Sequence, residues 1–239
     1  AEFLRRADHL ALSSQLVGVS VRDGESQVLW EEAGRFIGHA AFPPISDRHI
    51  LCDRATDPDR REEPLLWLLN LDEGEAVPFP TRNPKTGHSV WLSDGAGVVT
   101  HGVVVDRSSE NVAEYMQILN LDTTTRWIGY HGPPRYYGHC HITPDGRTIV
   151  VDGLFSPDRI IGVTPDDDGY FSEVICVHGT DPSAGQRGHA HPHVSPDGEW
   201  LVFGSLRGGR KNLFAVHMKK FIREGGNHPG QFAPECLQP

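Results

Sequence analysis

Short runs of alternating apolar and polar residues recur along this chain, each closed by a cluster of Gly, Pro, Asp or Ser. Alternation with a period of two marks half-buried strands, and helix-length apolar periodicity is scarce. Four segments align: GHAAFPPISDRHILCD from Gly38, GHSVWLSDGAGVVTH from Gly87, GHCHITPDGRTIVVD from Gly138 and GHAHPHVSPDGEWLVFG from Gly188. Their histidines, His39, His88, His139 and His189, stand 49, 51 and 50 residues apart. Each segment reads as a short strand, a turn such as SDG or PDG, and a second β-branched strand. A further strand follows in LLWLLNLDEGE and EYMQILNLDTT, which place Asp72 and Asp122 again 50 residues apart. A period near 50 with about four strands per unit predicts an all-β fold of propeller blades.

The units begin near 35, 84, 135 and 185, and residues 10–33 read as the outer strands of an earlier blade. That predicts about four and a half blades in a single domain over 1–239, with 219–239 as a C-terminal tail. Either this small ring closes on itself, or the chain is the C-terminal portion of a larger propeller. Opening in mid-blade favours the second expectation.

Composition narrows the function. The chain has 239 residues and a formal charge of −10, and no basic block exceeds Lys219-Lys220. A nucleic-acid surface is therefore not expected, and a small anionic ligand needs locally focused positive charge. No run of 18 apolar residues occurs, so no membrane span is expected. The N-terminus lacks the basic–apolar–small order of a secretory signal, and the four cysteines make no CxxC motif. These features together predict a cytoplasmic protein with reduced cysteines.

The innermost strand of each blade lines a propeller's central channel, so the four equivalent histidines are expected to face one space. Alternation predicts that His191 follows His189 and that His141 follows His139. Gln186, His189 and His191 offer an amide oxygen and two imidazoles within six residues. With His139 they form a candidate divalent-metal set, suited to Mn, Zn, Fe or Ni. The competing reading is structural: a histidine at a repeated position also serves as a blade-to-blade hydrogen bond, the simpler account of His39. His193 is expected at the blade or its edge, and His49, His101, His131, His178 and His217 as solvated or structural.

From about residue 15 to 218 these motifs resemble the oligogalacturonate lyases. RFIGHAAF (35–42), GHSVWLSDG (87–95), YGHCHITPDGRTIVVDG (137–153) and QRGHAHPHVSPDGEWLVFGS (186–205) carry the resemblance in order. The resemblance implies a seven-bladed propeller of which this chain holds the C-terminal four to five blades. It also implies a divalent cation, typically Mn2+, and cleavage of short uronate oligosaccharides from pectin by β-elimination. It places metal ligands at His139, Gln186, His189 and His191 and the general base at His88, with no ligand role for His141.

One departure stands out: the family's active-site arginine, two residues before the Trp of LLWLLN, is here Leu65. Arg54, Arg60 or Arg61 in the preceding segment would have to supply that charge. His39, His141 and Arg60 are further substrate-binding candidates. Two other functions compete with the lyase: a non-catalytic binding or scaffold propeller, and another metal-dependent carbohydrate enzyme on the same site.

Overall fold

The computed structural model describes residues 13–55, 65–79, 86–106, 111–122, 125–129, 137–153, 159–166, 169–178 and 188–218. The described regular structure is built from antiparallel strands. A two-stranded sheet pairs β1 (Ser13–Val19) with β2 (Ser26–Ala33). Three four-stranded sheets follow, each a meander in chain order. They are β3 (Phe36–Ala41), β4 (His49–Ala55), β5 (Leu66–Asn70) and β6 (Glu75–Pro78); β7 (Thr86–Trp91), β8 (Gly97–Asp106), β9 (Asn111–Asn120) and β10 (Thr125–Gly129); and β11 (Tyr137–Ile142), β12 (Ile149–Gly153), β13 (Arg159–Asp166) and β14 (Gly169–Val177). A three-stranded sheet closes the series with β15 (His193–Val194), β16 (Trp200–Ser205) and β17 (Asn212–His217). These meanders are propeller blades. No helix long and apolar enough to cross a membrane occurs among the described residues.

The repeated Asp-Gly turns join the first two strands of a blade, and their chemistry is the same three times. Gly95, Gly146 and Gly198 take φ of 68°, 70° and 73°, a left-handed conformation that glycine adopts without a side-chain clash. The preceding aspartates accept the backbone N–H of Ala96, Arg147 and Glu199. Thr143 and Ser195 add hydroxyl bonds to Asp145 and Asp197. These local bonds pin the hairpin register and so fix which side chains of the first strand enter the core.

The chain divides into two compact units: residues 1–86 with 121–124, and residues 87–120 with 125–239. In the first, Ile50, Cys52 and Leu69 are buried against Leu16, Leu29, Trp30, Ile37 and Trp67, joining the two-stranded sheet to the blade β3–β6. In the second, strand alternation sends neighbouring residues of β12 into different layers. Val150 packs with Ile160, Leu201, Phe203 and Val216, toward the blade β15–β17. Val151 packs with Val99, Met116, Ile142 and Ile161, toward the blade β7–β10. Apolar layers between successive blades thus hold the inner strands of the second unit rigidly enough to position polar side chains. Cys52 and Cys140 form no disulfide among the described residues.

Candidate metal centre

The pairing of β11 with β12 slips between Tyr137 and Cys140, a bulge that lifts His139 out of the ladder. Asp152, buried at the end of β12, organises what the bulge releases. Its Oδ1 accepts the backbone N–H of His139 at 2.6 Å, and its Oδ2 lies 3.2 Å from His139 Nδ1. The same Oδ2 accepts the backbone N–H of His191 at 2.9 Å, so one carboxylate ties two blades together. Gly138 is required here, because a Cβ at that position would overlap Asp152 Oδ1. With Nδ1–H donated to the carboxylate, Nε2 of His139 keeps its lone pair for a metal. Burial pushes the Asp152 carboxyl up, but the hydrogen bonds and charge of His139 and the two backbone N–H groups outweigh it. The group is held below the ordinary carboxylate range.

His189 and His191 sit on a connection rather than a strand, because the first strand of their blade is only His193–Val194. Strand alternation therefore does not govern them. Three bonds fix the segment instead: Lys211 Nζ donates to His189 O at 3.1 Å, Gly204 N–H to Ala190 O at 2.7 Å, and His191 N–H to Asp152. His191 adopts φ of 48°, a conformation costly for a residue with a Cβ and retained only where its surroundings enforce it. The result is a cluster in which His139, His189 and His191 offer ligand atoms all within 4.8 Å of one another.

The donor set fits a divalent cation. The rings of His139 and His191 lie 3.6 Å apart between centroids, and those of His139 and His189 5.2 Å. Nδ1 of His189 is buried without a hydrogen-bond partner among the described residues, a cost that ligation would remove. Burial, then the charge of His139, pull the His191 pKa down to about 4, and burial also lowers that of His189. Both are therefore neutral near pH 7, the state a metal requires. Cys140 contributes no thiolate: burial pushes it up to about 12, and its Sγ–H donates to His88 O at 3.5 Å.

His88 stands beside this cluster, its ring centroid 4.2 Å from that of His139, and stacks at 5.6 Å on His101. The structure thus brings together His88, His139, His189 and His191. It does not bring in His141: beyond the bulge its partner is His193, at 4.6 Å, and its Nδ1 accepts the backbone N–H of Val194. Arg54, in the first unit, is held by Glu32 through two bonds of 2.7 and 2.6 Å and lies 4.2 Å over Trp67. His39 lies in the first unit against Asp53. Gln186, Arg60 and Arg61 lie outside the described residues.

Two members of the site were not anticipated from sequence. Asp152 was visible as the residue 13 after His139, matching Asp53, 14 after His39. His101 follows His88 by 13 residues, the place that Asp152 holds after His139. For the carboxylate the expected consequence is direct: Asp152→Asn presents an amide to donors at His139 and His191 and releases the His139 tautomer. Cation affinity is expected to fall about 10- to 100-fold in calorimetric titration with Mn2+. An unchanged affinity would remove Asp152 from the site.

No protein-family model matches the chain, and no curated protein matches it in sequence. Solved structures do match. An oligogalacturonate lyase from Vibrio parahaemolyticus is 18% identical with a TM-score of 0.70, over 92% of this chain and 59% of that one. An oligogalacturonate lyase in complex with manganese is 19% identical with a TM-score of 0.65, over 88% of this chain and 55% of that one. TolB from Acinetobacter baumannii is 14% identical with a TM-score of 0.61, over 85% of this chain and 48% of that one. The chain therefore spans less than two thirds of the length of each of these three. At such identities the likeness is one of fold: the chain has the β-propeller fold shared by lyases and TolB.

Proposed function

We propose that the chain belongs to a metal-dependent lyase that cleaves short uronate oligosaccharides by β-elimination, with Mn2+ as its cation. The observation that carries this reading is the meeting of ligand atoms from three imidazoles within 4.8 Å, beside a fourth imidazole, His88, outside the ligand set. A cation held by His139, His189 and His191, with Gln186 as the ligand the resemblance adds, would offset the uronate carboxylate's charge and make the neighbouring C5 proton removable.

The protein's own residues then divide the work. Asp152 keeps Nδ1 of His139 protonated and fixes the backbone of His191. His88 accepts the C5 proton as a neutral imidazole, a suitable base near pH 7. The electron pair left on C5 forms the new C4–C5 double bond, the C4–O bond breaks, and the departing oxygen takes a proton from water. His101, held at about 4 chiefly by burial, places no second positive charge against His88 as that ring becomes charged.

Leu65, in place of the family's arginine, and the TolB likeness favour one competing reading, a binding propeller without catalysis. Elemental analysis before and after chelation, paired with an assay for the ultraviolet-absorbing unsaturated product on oligogalacturonate, separates the two. The lyase is expected to hold about one equivalent of divalent metal per chain and to lose product formation on chelation. Metal-free protein that binds no added cation would leave only the binding module.

A further inference from the structure

The turn between β16 and β17 runs Arg207-Gly208-Gly209-Arg210-Lys211, a local concentration of positive charge in a chain whose formal charge is −10. Lys211, exposed at the end of this turn, sends its side chain across Gly204, where an added Cβ would stand 2.6 Å from Lys211 Cε. The absence of a side chain at Gly204 thus leaves a path for the lysine stem, whose Nζ ends 3.1 Å from His189 O. An ammonium has three N–H donors, and that carbonyl takes one of them. Lys211 makes no ion pair among the described residues. Its charge therefore stands against the histidine cluster. Burial is the largest influence on His189 and His191, and the Lys211 charge adds to the lowering of both pKa values. The same field works against a cation on those rings. A tether for the His189 backbone needs only a neutral donor, so the charge is a cost to metal binding that an anionic ligand beside the cation would offset. Leu65 leaves the proposed lyase in need of such a charge, and Arg54 is already bonded to Glu32.

We propose that Lys211 is a carboxylate-binding residue at the edge of the metal centre, taking a second acid group of a uronate oligosaccharide beside the one offered to the cation. The carboxylate class follows from the placement of the ammonium; the uronate identity rests on the lyase reading. The test uses the full chain, stripped of metal and dialysed free of chelator, in calorimetric titrations with digalacturonate and with uncharged galactobiose. The wild type is expected to bind digalacturonate more tightly than galactobiose. Lys211→Gln, which keeps a donor but no charge, is expected to weaken digalacturonate binding about tenfold and to flatten its salt dependence. Lys211→Arg is expected to restore both. Mn2+ affinity in Lys211→Gln is expected to equal or exceed that of the wild type, because a repulsive charge has gone. Equal digalacturonate affinity in the wild type and Lys211→Gln, or no preference for the charged sugar, would overturn the site. If Lys211→Gln loses Mn2+ affinity as well, Lys211→Arg decides: recovered digalacturonate binding supports the site, and none reduces the lysine to a backbone tether. Because the sugar titrations are done without metal, failure of the lyase assay leaves their outcomes unaffected.

Discussion

Replacing His88 with alanine is expected to lower unsaturated-product release by about 10²- to 10⁴-fold, the usual contribution of a positioned general base. The cation should still bind. His88 is adjacent to the cluster, with its ring 4.2 Å from that of His139, yet its nitrogen is not among the three ligand atoms. Its backbone is tied to the neighbouring blade through Cys140, so truncating the ring leaves that strand in place. Paired measurements decide the matter: Mn2+ titration by calorimetry and product formation by ultraviolet absorbance. Loss of activity with binding retained assigns the base. Wild-type rates in the variant would refute the role, and loss of both would make His88 a metal ligand.

The histidine period was readable because propeller blades repeat one strand pattern, and equivalent residues of repeated strands share a direction. That logic brought His88 and His139 together. It failed wherever the backbone left the regular ladder. Alternation paired His141 with His139, but the bulge before Cys140 breaks the count and hands His141 to His193. His189 and His191 reach the site from a connection held by Lys211, Gly204 and Asp152, three contacts with no local sequence signature. Asp152 reads locally as a strand end, and only its equivalence to Asp53 marks it. His101 lies in the run GVVTHGVVVD, which reads simply as a strand, so its burial beside His88 depends on how blades pack rather than on pattern.

That buried imidazole makes the metal-free protein acid-sensitive. Burial, reinforced by the charge His139 carries when protonated and partly opposed by Asp152, lowers the His101 pKa from 6.5 to about 4. Above the unfolded value of 6.5 both states hold the ring neutral, and its contribution is fully present. As pH falls from there toward 4, the unfolded chain takes up a proton that the native state refuses, so stability declines by about 3 kcal/mol. His141, lowered to about 4 by burial and then by His193, acts in the same direction and window. His39 acts oppositely: with its pKa raised, its contribution is full below 6.5 and fades as pH rises through the folded value. Asp152 does not enter this window, since a lowered carboxylate gives up its contribution only in stronger acid. Urea unfolding at about pH 7.5, 6 and 4.5 should therefore show a steep loss in the wild type and a shallower one in His101→Gln, where no proton can be taken up. Parallel pH profiles for the two proteins would show that His101 is not held neutral by its burial, and the low-charge surroundings assigned to His88 would fall with it.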